Sequence, residues 1–448
     1  MTNNLFGTDG IRGVANEFPM TVEVALRLAQ VLSKIVCTNT KRVAIAKDTR
    51  VSGNMLESAL IAGFTSMGVD VVKMGIVPTP LVTAQTPNLG VDMSVMITAS
   101  HNPYQDNGIK LINSDGDKFD DALTSKIEEI LTSNETFQTS KDAVGKVFED
   151  TNSIEKYMEN ARKVAPNYSA LKGLRVVLDC ANGVFSKIMP QIFKDLGAGV
   201  ITLSDAPDGY NINKDCGSQH TENLQKVVTE SKAHLGIAVD GDGDRIIICD
   251  ENGNRIDGDQ IIAFLATYFH EHKTLKGNAV VATIWSNLGL EKYLHRLGIH
   301  YYRSAVGERY VIEKMREFGS NVGGEESGHM VLSDYATTGD ALITALIISM
   351  GLIESERKMS DIFPLFEKCP CKIDNIRFLS VGEAVYALNA GPVQNVIERA
   401  KKQIEGAGSV IVRKSGTEPV IKVRVEGEDE NLVASLSQMI VDEISKYK

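Results

Sequence analysis

Three stretches of the chain share one layout. Residues 41–75 (KRVAIAKDTRVSGNMLESALIAGFTSMGVDVVKMG), 172–203 (KGLRVVLDCANGVFSKIMPQIFKDLGAGVITL) and 276–307 (KGNAVVATIWSNLGLEKYLHRLGIHYYRSAVG) each open on a basic residue and run through a short, β-branched apolar segment. A polar loop, a helix-period segment ending in Met-Gly or Leu-Gly, and a second strand-like run follow. That alternation of periods is the mark of a βαβ unit. The matching helix ends at Gly68, Gly197 and Gly298 favour three related domains over three unrelated crossovers. A chain of 448 residues with 43% hydrophobic content is too long for one core, so several domains are required. Polar stretches at 134–150, 250–254 and 364–374 place them at 1–150, 151–253, 254–368 and 369–448. The last piece shows a helix near 392–405, strand-like runs around Val410 and 420–425, and a final helix from Asn431. The expected fold is α/β: three topologically similar mixed α/β domains plus a smaller C-terminal α+β domain.

Several classes are excluded by composition. The start MTNNLFGTDGIRG lacks an apolar run behind a basic head, and nowhere do about 18 apolar residues follow one another, so a cytoplasmic location is expected. The run ALITALIISMGLI at 341–353 is short and marked by Thr and Ser, as in a buried helix. Six scattered cysteines point to reduced thiols, with Cys369 and Cys371 structural because no Cys/His cluster completes a zinc site. A net charge of -11 repels nucleic acid and anionic membranes, and an anionic small substrate would need local clusters of cations.

Four loops carry chemistry. In DGDGDR (240–245), Asp240, Asp242 and Asp244 recur at spacing two between strand-like runs, and the glycines let three carboxylates face one point. Oxygen-only ligands select a hard cation. Calcium in an EF-hand is rejected because Arg245 stands where that loop needs glycine, and Mg²⁺ beside a phosphate fits three carboxylates better. The stretch MITASHNPYQDNGIK (96–110) brings together Ser100, His101 and Lys110. In VRKSGTEPVIKVRVEG (412–427), Arg413, Ser415, Gly416, Thr417 and Arg424 form an anion cradle in an otherwise acidic chain. In GGEESGH (323–329), Glu325, Ser327 and His329 suit the hydroxyls of a sugar.

Together with FGTDGIRG at 6–13, these motifs, in order along the whole chain, resemble the α-D-phosphohexomutase superfamily, and within it the bacterial phosphoglucosamine mutases. The resemblance implies four domains around a central cleft. It implies interconversion of glucosamine 6-phosphate and glucosamine 1-phosphate through a phosphoserine enzyme and a sugar bisphosphate, supplying UDP-N-acetylglucosamine synthesis. Ser100 would carry the phosphoryl group, with His101, Lys110 and Arg12 handling protons and charge. Mg²⁺ would be held by Ser100, Asp240, Asp242 and Asp244, and glucosamine 1,6-bisphosphate or glucose 1,6-bisphosphate would act as activator. Arg245, Arg309, Glu325, Ser327 and His329 would contact substrate; Arg413, Ser415, Gly416, Thr417 and Arg424 would hold the distal phosphate. The family more often has Asp at the position of Glu308, and Gln at that of Glu326. A phosphoglucomutase or phosphomannomutase, a phosphatase with an aspartyl nucleophile, and a non-catalytic sugar-phosphate-binding protein are the competing readings. The expected partner is a hexosamine phosphate, with neither nucleic acid nor membrane, and a homodimer is left open.

Overall fold

The computed structural model describes residues 5–7, 9–133, 135–137, 141–414 and 419–448. All three strand–helix–strand units are present. Strand Arg42–Lys47, helix Gly53–Ser66 and strand Asp70–Ile76 form the first. Arg175–Asp179, Phe185–Asp195 and Gly199–Leu203 form the second. Ala279–Thr283, Leu288–Arg296 and His300–Ser304 form the third. In each unit the two strands pair in parallel. Gly68, Gly197 and Gly298 follow the three helices with φ of 77°, 92° and 72°. That left-handed conformation costs glycine nothing and lets the chain leave the helix toward the next strand.

The repeat extends further than the sequence showed. After each unit a second helix (Thr79–Gln85, Glu222–Ser231, Glu308–Phe318) leads to a third strand (Met93–Ile97, Leu235–Val239, Val322–Gly324) beside the first. A hairpin then turns that strand back antiparallel into Asp106–Asn113, Ile246–Asp250 and Met330–Leu332. The loops of these hairpins are 98–105, 240–245 and 325–329. Three of the four chemical motifs therefore occupy one topological position in three copies. The central strands Met93–Ile97 and Leu235–Val239 are buried throughout, which anchors both loops on rigid supports.

The first sheet gains Phe6–Gly7, Gly10–Val14 and Val147–Glu149 at its edges. The C-terminal part is a different fold. Strand Val420–Gly427 lies antiparallel between Cys371–Arg377 and Gly408–Lys414. Helices Val381–Asn389, Gly391–Gln403 and Glu430–Ser445 contribute apolar residues such as Ala384, Ile397 and Ile440 to its core with Val423 and Val425. The Cys-Pro-Cys segment thus opens onto a strand that the sequence pattern did not announce, and neither Cys369 nor Cys371 forms a disulfide. Residues 286–298 cluster with 366–448 as one compact unit, and the remaining residues up to 365 form the other. Helix Ala341–Ser355 is buried along nearly its whole length, and among the described residues no helix is long and apolar enough to cross a membrane.

Candidate active site

Ser100 sits at the tip of the first hairpin, 1% exposed, with φ of 54°. A left-handed serine is strained by roughly 1–2 kcal/mol, so its surroundings must hold it. Its N–H donates to Thr98 Oγ1 at 2.9 Å, and its carbonyl accepts from Arg50 Nη2 at 2.9 Å and Asn213 Nδ2 at 2.8 Å. Arg50 is in turn fixed by Asp48, whose Oδ2 accepts from Arg50 Nε at 2.9 Å and from Thr98 Oγ1 at 2.7 Å. With its backbone locked, Ser100 directs Oγ to Asp240 Oδ2 at 2.6 Å, and His101 Nδ1 lies 3.4 Å away. Burial, helped by Arg245 and Arg12, pushes the His101 imidazole down to about 4, which leaves it neutral with an acceptor nitrogen.

The aspartate loop lies opposite. Asp240 Oδ1 accepts the N–H groups of Gly243 and Arg245, both at 3.1 Å, and so shapes the turn. Asp240, Asp242 and Asp244 each bring an oxygen within 4.8 Å of the others. Lys110 Nζ meets Asp242 Oδ2 at 2.8 Å, Asp244 Oδ2 at 3.0 Å and Asp9 Oδ2 at 3.1 Å. Burial works against its charge, yet those three carboxylates hold its pKa well above the ordinary lysine value. Lys110 is held here as an ammonium that offsets carboxylate repulsion. Asp240 is pushed well above the usual carboxylate range by burial and by Asp244 and Asp242. Thr79 Oγ1 also donates to Asp242 Oδ2 at 2.7 Å. By contrast Asp242 Oδ1 is buried without a hydrogen-bond donor, and Asp244 Oδ1 has only His329 Nδ1 at 3.7 Å and Arg245 Nε at 3.9 Å. Two buried carboxylate oxygens without a close donor, beside a third acidic side chain, are a donor set that suits a hard cation.

The third loop docks on the second. Ile246 N–H donates to Gly328 O at 3.0 Å, and Arg245 bridges His329. Gly328, at φ 94°, has no room for a Cβ, which would lie 2.1 Å from Ile246 O. Glu325 Oε1 accepts the Gly307 N–H at 3.0 Å, and Ser327 Oγ is buried without a partner. His329 departs from expectation. It is 3% exposed, with Nε2 3.0 Å from Glu308 Oε1 and Nδ1 3.7 Å from Asp244 Oδ1. Burial opposes charge on the ring, but Glu308 and Asp244 push its pKa up to about 10. The ring is packed between Glu308 and Asp244, with Gly339 N–H also 3.2 Å from Nε2, and so buttresses Asp244. Glu308 has the reach to meet Lys118, Thr338, the Gly339 N–H and His329 together. Arg309 also differs: its guanidinium is taken by Glu313 and Asp121. Arg12 pairs with Asp9 at 2.6 Å, while Arg245, largely buried, stays beside the aspartates, its Nε 3.9 Å from Asp244 Oδ1.

In the C-terminal unit Arg424 is 2% exposed, and its Nη2 lies 3.1 Å from Glu426 Oε1, which also accepts the Leu288 N–H at 2.9 Å. Arg424, expected at the distal phosphate, is thus paired with Glu426 inside this unit. Arg413 stands directly across from Lys422 in the strand pair. Two cations facing one another are a place where an anion is favoured in an otherwise acidic chain. Ser415, Gly416 and Thr417 lie outside the described residues. Asp48, Arg50 and Asn213 are functional candidates that sequence reasoning missed. The available signal for the first two was the polar DTR directly behind a buried strand.

Models of the phosphoglucomutase/phosphomannomutase α/β/α domains I, II and III match residues 3–138, 155–253 and 257–369, and that of the C-terminal domain matches 379–443. A phosphoglucosamine mutase of Paramagnetospirillum magneticum is 45% identical over 449 residues, spanning 100% of this chain and 99% of that protein. Among solved structures, a phosphoglucomutase/phosphomannomutase family protein of Burkholderia thailandensis superimposes with a TM-score of 0.81 at 24% identity, covering 100% of this chain and 98% of that one. An N-acetylphosphoglucosamine mutase of Aspergillus fumigatus, in complex with GlcNAc-6P and magnesium, gives a TM-score of 0.66 at 14% identity, covering 99% and 96%.

Proposed function

The chain belongs to the phosphoglucomutase/phosphomannomutase family, and we propose that it interconverts glucosamine 6-phosphate and glucosamine 1-phosphate with Ser100 as the phosphoryl carrier. The observation that carries the role of Ser100 is its Oγ, aimed at Asp240 from a backbone held in the left-handed region. A phosphoryl group there brings about -1.5 to -2 charge against a carboxylate, which demands a cation. Asp240, Asp242, Asp244 and the phosphoserine would hold Mg²⁺, which supplies neutralisation of charge on the phosphoryl oxygens. The sugar hydroxyl attacks phosphorus as it loses its proton, the P–Oγ bond breaks, and Ser100 Oγ takes up a proton. The bisphosphate then turns over and returns its other phosphoryl group to Ser100 by the same step in reverse. Neutral His101 is the acceptor within reach, while Lys110 and Arg245 compensate charge. Glu325 and Ser327 are assigned to the sugar, and Arg413 with Lys422 and the 415–417 loop to the phosphate that is not reacting. Glucosamine 1,6-bisphosphate or its glucose counterpart would prime the enzyme, in the cytoplasm.

The sugar is tested by parallel assays. Glu325 and Glu326 stand side by side, and an ammonium on the ligand offsets repulsion that a neutral hydroxyl leaves in place. The expected result is a kcat/KM for glucosamine 1-phosphate at least about tenfold above glucose or mannose 1-phosphate, equivalent to ~1.4 kcal/mol. Glu326→Gln should narrow that preference. Equal turnover of glucose 1-phosphate would leave a general phosphohexomutase instead.

Arg413→Ala should raise KM for both sugar phosphates, since the distal phosphate is held in either orientation. Loss of a charge-assisted hydrogen bond corresponds to roughly 1.5–3 kcal/mol. An effect on only one direction of the reaction would contradict a clamp shared by both.

A further inference from the structure

Asn213 reaches the serine loop from the second repeat. Its Nδ2 donates to Ser100 O at 2.8 Å and to Asn102 O at 2.9 Å. Arg50 Nη2, from the first repeat, donates to the same two carbonyls at 2.9 and 2.8 Å. Arg50 also donates to Pro103 O and, at 3.0 Å, to Asp106 O, so the first repeat already fixes the loop on its own side. Asn213 adds a link that Arg50 cannot provide. A Cβ built on Gly241, between Asp240 and Asp242, would lie 2.9 Å from Asn213 Nδ2, so the same amide packs against the aspartate loop. Its own backbone is pinned by its N–H donating to Ala181 O at 2.9 Å, and the residue is 8% exposed.

We propose that Asn213 is a positioning residue that sets the serine loop against the aspartate loop, so that Ser100 Oγ and Asp240 keep their separation through phosphoryl transfer. The reasoning is geometric. Ser100 and Asp240 belong to different repeats, and their 2.6 Å approach depends on how those repeats are registered. Asn213 touches both loops within one amide length. Transfer geometry is sensitive to displacements near 1 Å, which cost about 100-fold in rate. The inference rests on Ser100 as carrier.

Two variants test it. Asn213 has φ of 56°, so Asn213→Gly removes the amide without straining the backbone, and Asn213→Asp keeps the shape while placing oxygen where both carbonyls need a donor. Both should lower kcat by about 10- to 100-fold, with KM for glucosamine 1-phosphate within about twofold of wild type. Single-turnover transfer from the phosphorylated enzyme should slow by the same factor, while the rise in Tm on adding MgCl₂ persists. If Asn213→Gly does not fold, the isosteric Asn213→Asp carries the test alone. Wild-type kcat in Asn213→Asp, or loss that appears as raised KM, overturns the proposal. Full activity in Ser100→Ala would overturn the carrier itself, whereas an inactive Ser100→Ala beside wild-type Asn213 variants would sink only the positioning role.

Discussion

Replacing Ser100 by alanine is expected to lower mutase turnover by at least about 10⁴-fold, the scale on which loss of a nucleophile acts. The fold should survive. The bonds that hold the loop use the backbone of Ser100: its N–H on Thr98, and its carbonyl on Arg50 and Asn213. Alanine keeps all three and suffers the same left-handed strain as serine. What disappears is Oγ and its 2.6 Å contact with Asp240. Steady-state isomerisation measures the first consequence. Intact mass after incubation with glucosamine 1,6-bisphosphate measures the second: wild type should gain one phosphate localised to Ser100, and Ser100→Ala none. Turnover of the alanine variant within tenfold of wild type, or a phosphate on an aspartate, would replace the serine carrier with the phosphatase-like alternative.

The three strand–helix–strand units were legible because each changes period twice and ends its helix on a glycine, features that need no tertiary context. The hairpins that follow them were not. Loops 98–105, 240–245 and 325–329 share neither length nor residues, so only strand pairing reveals that Ser100, the aspartates and Glu325 stand at equivalent positions. The strands drawn from glycine-rich FGTDGIRG and charge-rich CKIDNIR likewise lack an apolar alternation. Their places are decided by the partners they find, Asp106–Asn113 and Val420–Gly427.

Within the site, spacing disclosed what is local. Asp240, Asp242 and Asp244 lie on one tight turn, and Ser100 with His101 on another. Side chains contributed from afar were hidden, since Arg50 and Asn213 reach Ser100 from 50 and 113 residues away. Burial was hidden too. His329 and Arg424 are assigned to ligand by their motif positions, and no pattern in the sequence signals that each is buried against a carboxylate, where charge is retained by pairing.

Asp242→Asn should abolish turnover, by about 10³-fold or more, while preserving the fold, because the two oxygens of Asp242 do different work. Oδ2 accepts from Thr79 and Lys110, and an asparagine oxygen can keep both. Oδ1 has no donor, and in the variant an NH₂ takes its place and turns two protons toward the point where a cation would bind. Removing one charge relieves repulsion with Asp240 and Asp244 but weakens the buried pair with Lys110, and the two effects oppose each other, so the protein without metal should still fold. Metal then separates the two proteins. At a Mg²⁺ concentration about 100 times its Kd, wild type gains ~2.7 kcal/mol of stability, and the asparagine variant should lose most of that gain. Thermal unfolding across a MgCl₂ series reads this without reference to activity. An undiminished Mg²⁺-dependent rise in Tm in Asp242→Asn would remove Asp242 from the metal site, whatever the assay of turnover shows.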